Sequence, residues 1–117
     1  MDKIWLKNPE PHDFPAAIDY LELLFTPDES KKFADNLMKA VTITKKAKDV
    51  LRASNLPLLP QDNIHVKQDL KKVKKEQKLS PILLVRYDHK LIIADGYHRI
   101  CALYYLSEDH DIPCRLV

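Results

Sequence analysis

Hydrophobic spacing divides the chain into a helical first half and a strand-rich second half. Residues 1–14 carry Pro9 and Pro11 and run into Pro15, a pattern that predicts an extended arm, with Trp5 and Leu6 as the residues that pin it to the body. Pro15 fits the opening of a first helix whose apolar side is Ala16, Ala17, Leu21, Leu24 and Phe25. Thr26-Pro27-Asp28-Glu29 predicts a second helix start: threonine caps, proline takes the first helical position and glutamate completes a capping box. Phe33, Leu37, Met38 and Val41 are expected to form one face of that helix. A shorter helix is expected near Lys45–Ser54, with Ala47, Val50 and Leu51 inward. Asn55 to Pro60 reads as a connector, because Pro57 and Pro60 forbid a regular helix.

Beyond the connector, Asp62 to Lys78 predicts another helix after a short strand or turn at residues 63–66, with Leu70 and Val73 inward. Pro81 opens the run Ile82-Leu83-Leu84-Val85, and Tyr87-Asp88-His89-Lys90 separates it from Leu91-Ile92-Ile93-Ala94. Two apolar runs around a short polar turn predict a hairpin. A helix is expected from about Tyr97 to Leu106, a loop over residues 107–111 and a final strand over residues 112–117, where Pro113 favours an edge or a strand start. The sum is a small α+β domain, a mixed sheet with the N-terminal helices packed on it.

Composition changes this picture at one point. The chain has 117 residues, suited to a single domain, yet holds one glycine where ordinary usage of about 7% predicts about eight. Gly96 lies between the apolar run ending at Ala94 and the helix that follows, so the backbone there must take positive φ or approach something closely. A strand, a glycine turn and a helix start leave N–H groups pointing outward, which is a ready anion site. Charge is high at 31% but nearly balanced at a formal +2, so it speaks neither for nor against nucleic acid. Cys101 and Cys114 have neither zinc-finger nor redox-pair spacing and read as buried thiols. Residues 1–6 hold no long apolar stretch and no run is long enough to span a membrane, so a soluble cytoplasmic protein is expected.

Leu79-Ser80-Pro81-Ile82-Leu83-Leu84-Val85, the hairpin, Ala94-Asp95-Gly96-Tyr97-His98-Arg99, Ala102-Leu103 and Ile112-Pro113-Cys114-Arg115-Leu116-Val117 follow one another in an order that resembles the ParB/sulfiredoxin-like superfamily. The resemblance covers about residues 63–117. It implies that the glycine turn and helix start bind the phosphates of a nucleotide, with ATP, ADP or CTP and Mg²⁺ as candidate ligands. Ser80 is a further ligand candidate on the same ground. Tyr97 stands where sulfiredoxins place their reactive cysteine and partition proteins a glutamate, which argues against peroxiredoxin repair and against nucleotide hydrolysis of the ParB kind.

Candidate chemistry therefore gathers at one turn. Gly96 with its following N–H groups, Tyr97, His98, Arg99 and Ser80 are the expected phosphate or nucleotide contacts, Arg99 by bidentate charge and His98 by donation or proton movement. His98 and Asp95 are the catalytic candidates should phosphoryl transfer or phosphodiester cleavage occur. Asp95 reads first as a helix N-cap and second as a general base or metal ligand. Tyr97 reads equally as a base-stacking ring and as a partly exposed aromatic of the first turn. Lys67, Lys71, Lys72, Lys74, Lys75 and Lys78 are six lysines in twelve residues, but Asp69 and Glu76 interrupt them and no aromatic interleaves, so a solvated face is expected ahead of nucleic-acid binding. The remaining histidines show no zinc spacing, and no metal site is expected. A non-catalytic interaction module with a degenerate site, in which residues 1–60 serve as a partner surface or a homodimer interface, is the rival reading, and a nucleic-acid-binding accessory protein is the third.

Overall fold

Five helices and a four-stranded mixed sheet, an α+β fold, make up the computed structural model, which describes residues 3–117. The first two positions of the expected arm lie outside the described residues. Helices α1 (Asp13–Leu21) and α2 (Pro27–Lys39) precede strand β1 (Ile43–Lys46) and helices α3 (Ala47–Ser54) and α4 (Ile64–Lys74). Strands β2 (Ile82–Tyr87) and β3 (Lys90–Asp95), helix α5 (Tyr97–Leu106) and strand β4 (Asp111–Leu116) complete the chain. The sheet order is β1-β4-β2-β3, with β4 antiparallel to β1 and parallel to β2.

Each sheet face covers its own core. Leu84, Ile93, Ile112 and Cys114 meet α3, α4 and α5 on one face, through Val50, Val66, Ile100 and Leu103 among others. Leu83, Val85 and Ala94 meet α1 and α2 on the other, through Phe14, Ala17, Leu21 and Leu37. That alternation is the period of two expected of strands buried on both sides. Burying each Leu or Ile stabilises the fold by about 1.5–3 kcal/mol.

Several local expectations stand. Thr26 accepts from the Glu29 N–H at 3.2 Å and Glu29 accepts from the Thr26 N–H at 3.0 Å, so the capping box is complete. The β2–β3 hairpin closes through Asp88 (φ 52°) and His89 (φ 59°), the positive-φ pair a tight hairpin turn needs, here without glycine. Trp5 is buried, and the arm is pinned by a parallel bridge to Leu79, with the Leu79 N–H donating to Ile4 and the Leu6 N–H to Leu79.

Others are corrected. Helix α1 begins at Asp13, and Pro15 sits in its third position, where a missing N–H still costs no helical bond. Leu24 falls beyond α1 and is exposed, as are Met38 and Val41, so the α2 face is carried by Leu37 with Phe33 at its margin. Lys45 and Lys46 belong to β1, and residues 63–66 are the capped start of α4, with Asn63 accepting from the His65 and Val66 N–H groups. The final strand is internal instead of an edge. Pro113 pairs with Thr44 of β1 and lies one residue before the β2 ladder begins at Cys114, so its missing N–H falls outside that ladder.

Candidate functional site

Gly96 has φ +111°, and a Cβ there would collide with the Ile82 side chain. The lone glycine is thus required twice, by its dihedral and by the side chain of β2 it passes. It is also the N-cap of α5, a cap with no side chain to offer the first turn. The expectation that Asp95 caps this helix is corrected: Asp95 ends β3 and turns its carboxylate to Arg99, one helical turn on, at 2.7 Å.

Arg99 is the hub of this corner. Its Nη1 donates to the Ser80 carbonyl at 2.7 Å and to the Ser80 hydroxyl, while Nη2 holds Asp95. Both charged side chains are largely enclosed, at 12% and 22% exposure, so this pair is not a solvent-screened surface bridge. Ser80 is buried and committed to Arg99. Burial pushes the Asp95 carboxyl above its usual range; Arg99 opposes that, and the neighbouring Asp13 carboxyl adds to it by charge and by a hydrogen bond between the two acids. Asp13, buried in the first turn of α1, also accepts from the Glu10 N–H at 2.8 Å.

Around this hub lies a cleft of about 350 Å³. Its walls come from three places in the chain: Glu10, His12 and Asp13 ahead of and on α1; His65, Asp69 and Lys72 on α4; and Lys78 to Ser80 with Asp95, Gly96, His98 and Arg99. The His65 and His98 rings approach to 4.8 Å between centroids. Burial lowers the pKa of His98, and the neighbouring His65 lowers it further, against the pull of Asp69. Asp69 is pushed up by burial, with Lys72 the largest of the cations that oppose this.

Of the expected contacts, Gly96, His98, Arg99 and Ser80 come together on this cleft with Asp95. Tyr97 does not join them: its hydroxyl donates to the Pro57 carbonyl at 2.5 Å, tying α5 to the connector. Of the six lysines, Lys72 and Lys78 reach the cleft. Glu10, His12, Asp13, His65 and Asp69 are the titratable cleft residues that sequence reasoning did not assign to a site. His65 and Asp69 are spaced four apart on α4, which is a legible signal; nothing local marks Asp13. Among the described residues no group of three or more His, Cys, Asp or Glu side chains is arranged to hold a metal ion. Cys101 and Cys114 are buried free thiols, and burial raises Cys114 to about 11. No helix among the described residues is long and apolar enough to cross a membrane.

Compared with protein families, with curated proteins and with solved structures, the chain matches none.

Proposed function

We propose that the cleft at the start of α5 binds a phosphate-bearing ligand, with nucleoside di- and triphosphates (ATP, ADP, CTP, GTP) as the class to test first. The observation that carries this reading is the start of α5 itself. A ten-residue helix opens on Gly96 with no side-chain cap, at the wall of a cleft that Lys72, Lys78 and His98 also line. Free N–H groups and the positive end of the helix dipole favour an anion there. Lys72 and Lys78 supply mobile charge. Arg99, already engaged by Asp95 and Ser80, acts as the positioning residue that holds the glycine turn against β2.

The acidic side chains fit a resident Mg²⁺ poorly. Asp95 Oδ2 is taken by Arg99, and no third ligand converges on Asp13 and Asp95. A Mg²⁺ in this cleft would arrive on the phosphates and keep most of its water. Glu10, Asp13, Asp69 and Asp95 make the cleft nearly balanced in charge, so the protonation of His98 bears directly on anion affinity.

The test is a thermal-shift titration with ATP, ADP, CTP and GTP, with and without Mg²⁺, run beside Lys72→Gln/Lys78→Gln. Both lysines are exposed, so the variant keeps its fold. A ligand of the folded state stabilises it by about 2.7 kcal/mol at a hundredfold excess over its dissociation constant. The expected result is a nucleotide-dependent rise in melting temperature that the double variant loses. A cooperative melt unmoved by every nucleotide overturns the reading and leaves Gly96 a packing turn.

A further inference from the structure

A second cleft, of about 460 Å³, lies at the opposite end of the β2–β3 hairpin and shares no lining residue with the first. It forms where the helical layer stops short of the sheet. Leu84, Leu91 and Leu116 lie on the sheet face that α3 covers; Leu84 is buried, and the half-buried Leu91 and Leu116 give the apolar floor its accessible surface. Around that floor stand Lys45, Arg86 and Lys90, all exposed. None of the three has an ion pair or side-chain hydrogen bond among the described residues. Elsewhere Lys31, Lys46, Lys48, Arg52 and Arg99 each hold a carboxylate. The one acid on the rim, Asp49, is taken by Arg52 at 3.2 Å. The cleft thus joins uncovered apolar surface to three uncompensated cations, within the range of about 300–1,000 Å³ usual for small-molecule sites.

We propose that this cleft binds a small amphiphilic carboxylate, an aliphatic or aromatic acid whose apolar body lies on Leu91 and Leu116, above the buried Leu84, and whose carboxylate is held by Arg86 and Lys90. Both halves of the ligand are needed. The floor alone would take any apolar molecule, and the cations alone any anion. Arg86 projects from the same strand face as Leu84, two residues on, and Leu91 is its cross-strand partner, so the charged head and the apolar floor are set at fixed spacing by the hairpin register. A carboxylate suits the planar fork of Arg86.

The experiment uses octanoate as probe, with octan-1-ol and octylammonium as its uncharged and cationic counterparts, followed by amide chemical shifts of the whole chain. Octanoate is expected to give saturable shifts confined to Leu84, Leu91, Leu116 and their neighbours, and to bind more tightly than either counterpart. Arg86→Gln/Lys90→Gln, at two exposed positions without partners, is expected to keep the spectrum of the free protein and to weaken octanoate by roughly tenfold or more, the scale of a lost charge-assisted contact. Equal binding of octanoate and octan-1-ol, unchanged affinity in the double variant, or no saturable shift with octanoate would each overturn the proposal. The two clefts share no lining residue, so octanoate shifts at Leu91 and Leu116 that persist in Lys72→Gln/Lys78→Gln keep the outcome separate from that of the α5 cleft.

Discussion

Strand β3 has two ends that solve opposite problems. At Asp95 it delivers a carboxylate into an enclosed corner where charges are matched: Arg99 meets Asp95 and Ser80, and Asp13 adds a second acid from α1. At Lys90, about 17 Å away for a strand rising about 3.4 Å per residue, the cations stand without partners beside the half-buried Leu91 and Leu116. The difference follows from what covers the sheet. Helices α1, α4 and α5 converge on the Asp95 end, so a charge there loses water and must find a partner. At the Lys90 end α3 covers one sheet face while Phe25, just ahead of α2, and Phe33 of α2 pack on Tyr87, and the exposed charges at the hairpin tip stay hydrated. The first end is built into stability, the second is separable from it.

The sharpest test of that contrast is Gly96→Ala. A left-handed dihedral costs a side chain about 1–2 kcal/mol and overpacking about 1–3 more, so a loss of about 3 kcal/mol is expected in urea denaturation. Ile82→Ala removes the clash but costs buried surface of its own, so the double variant should lose less than the sum of the two single losses. Next comes Arg99→Ala, which strands Asp95 and the Ser80 carbonyl; about 2–4 kcal/mol is expected to be lost, with Arg99→Lys restoring only part because one ammonium cannot span both partners. A stability unchanged in Arg99→Ala would dissolve the distinction between the two ends.

A smaller effect concerns pH. Burial and His65 hold His98 below its ordinary 6.5, so the free protein keeps the ring neutral near pH 7. A bound phosphate favours the protonated ring, and binding therefore takes up a proton. Nucleotide affinity should rise as pH falls from 7.5 toward 5.5, by up to about tenfold for each pKa unit the ligand adds. Calorimetry in wild type and His98→Gln separates this from the ligand's own titration, since the variant should show a flatter profile. The same lowered pKa acts against stability in acid: the unfolded chain protonates first, so stability is full above 6.5 and declines as pH falls through the ordinary value toward the lowered one. The smallest effect is expected at the other end of β3, where Arg86→Gln/Lys90→Gln should change stability by no more than about 0.5 kcal/mol.

Local chemistry was legible where it is self-contained. The capping box at Thr26 and Glu29, the hairpin and the Gly96 turn are each decided by residues a few positions apart, and each is found where expected. What escaped was decided by distant partners. Strand β1, Ile43-Thr44-Lys45-Lys46, is mostly exposed and has no apolar alternation; it is a strand because β4 lies beside it. Pro113 argued for an edge, yet β1 encloses β4 on the side the sequence left open. Asp13 looked like part of an arm and is a buried acid against Asp95, because α1 packs on β3 from a distant place in the chain. Of the two equal readings of Tyr97, the structure has the partly exposed aromatic of the first turn, with its hydroxyl donating to Pro57, a partner forty residues away that the sequence does not mark.

The place of β4 between β1 and β2 has a consequence for how the chain comes into being. On a ribosome making about 5–20 residues per second, β1 emerges early and finds no strand to pair with. Helices α1 and α2 emerge earlier still, with Leu21 and Leu37 facing a sheet not yet made. No strand pairing joins β1 to the hairpin until Asp111–Leu116 has been synthesised, so for some seconds the nascent chain carries an open strand edge. The native sheet is closed from its middle, by its last strand.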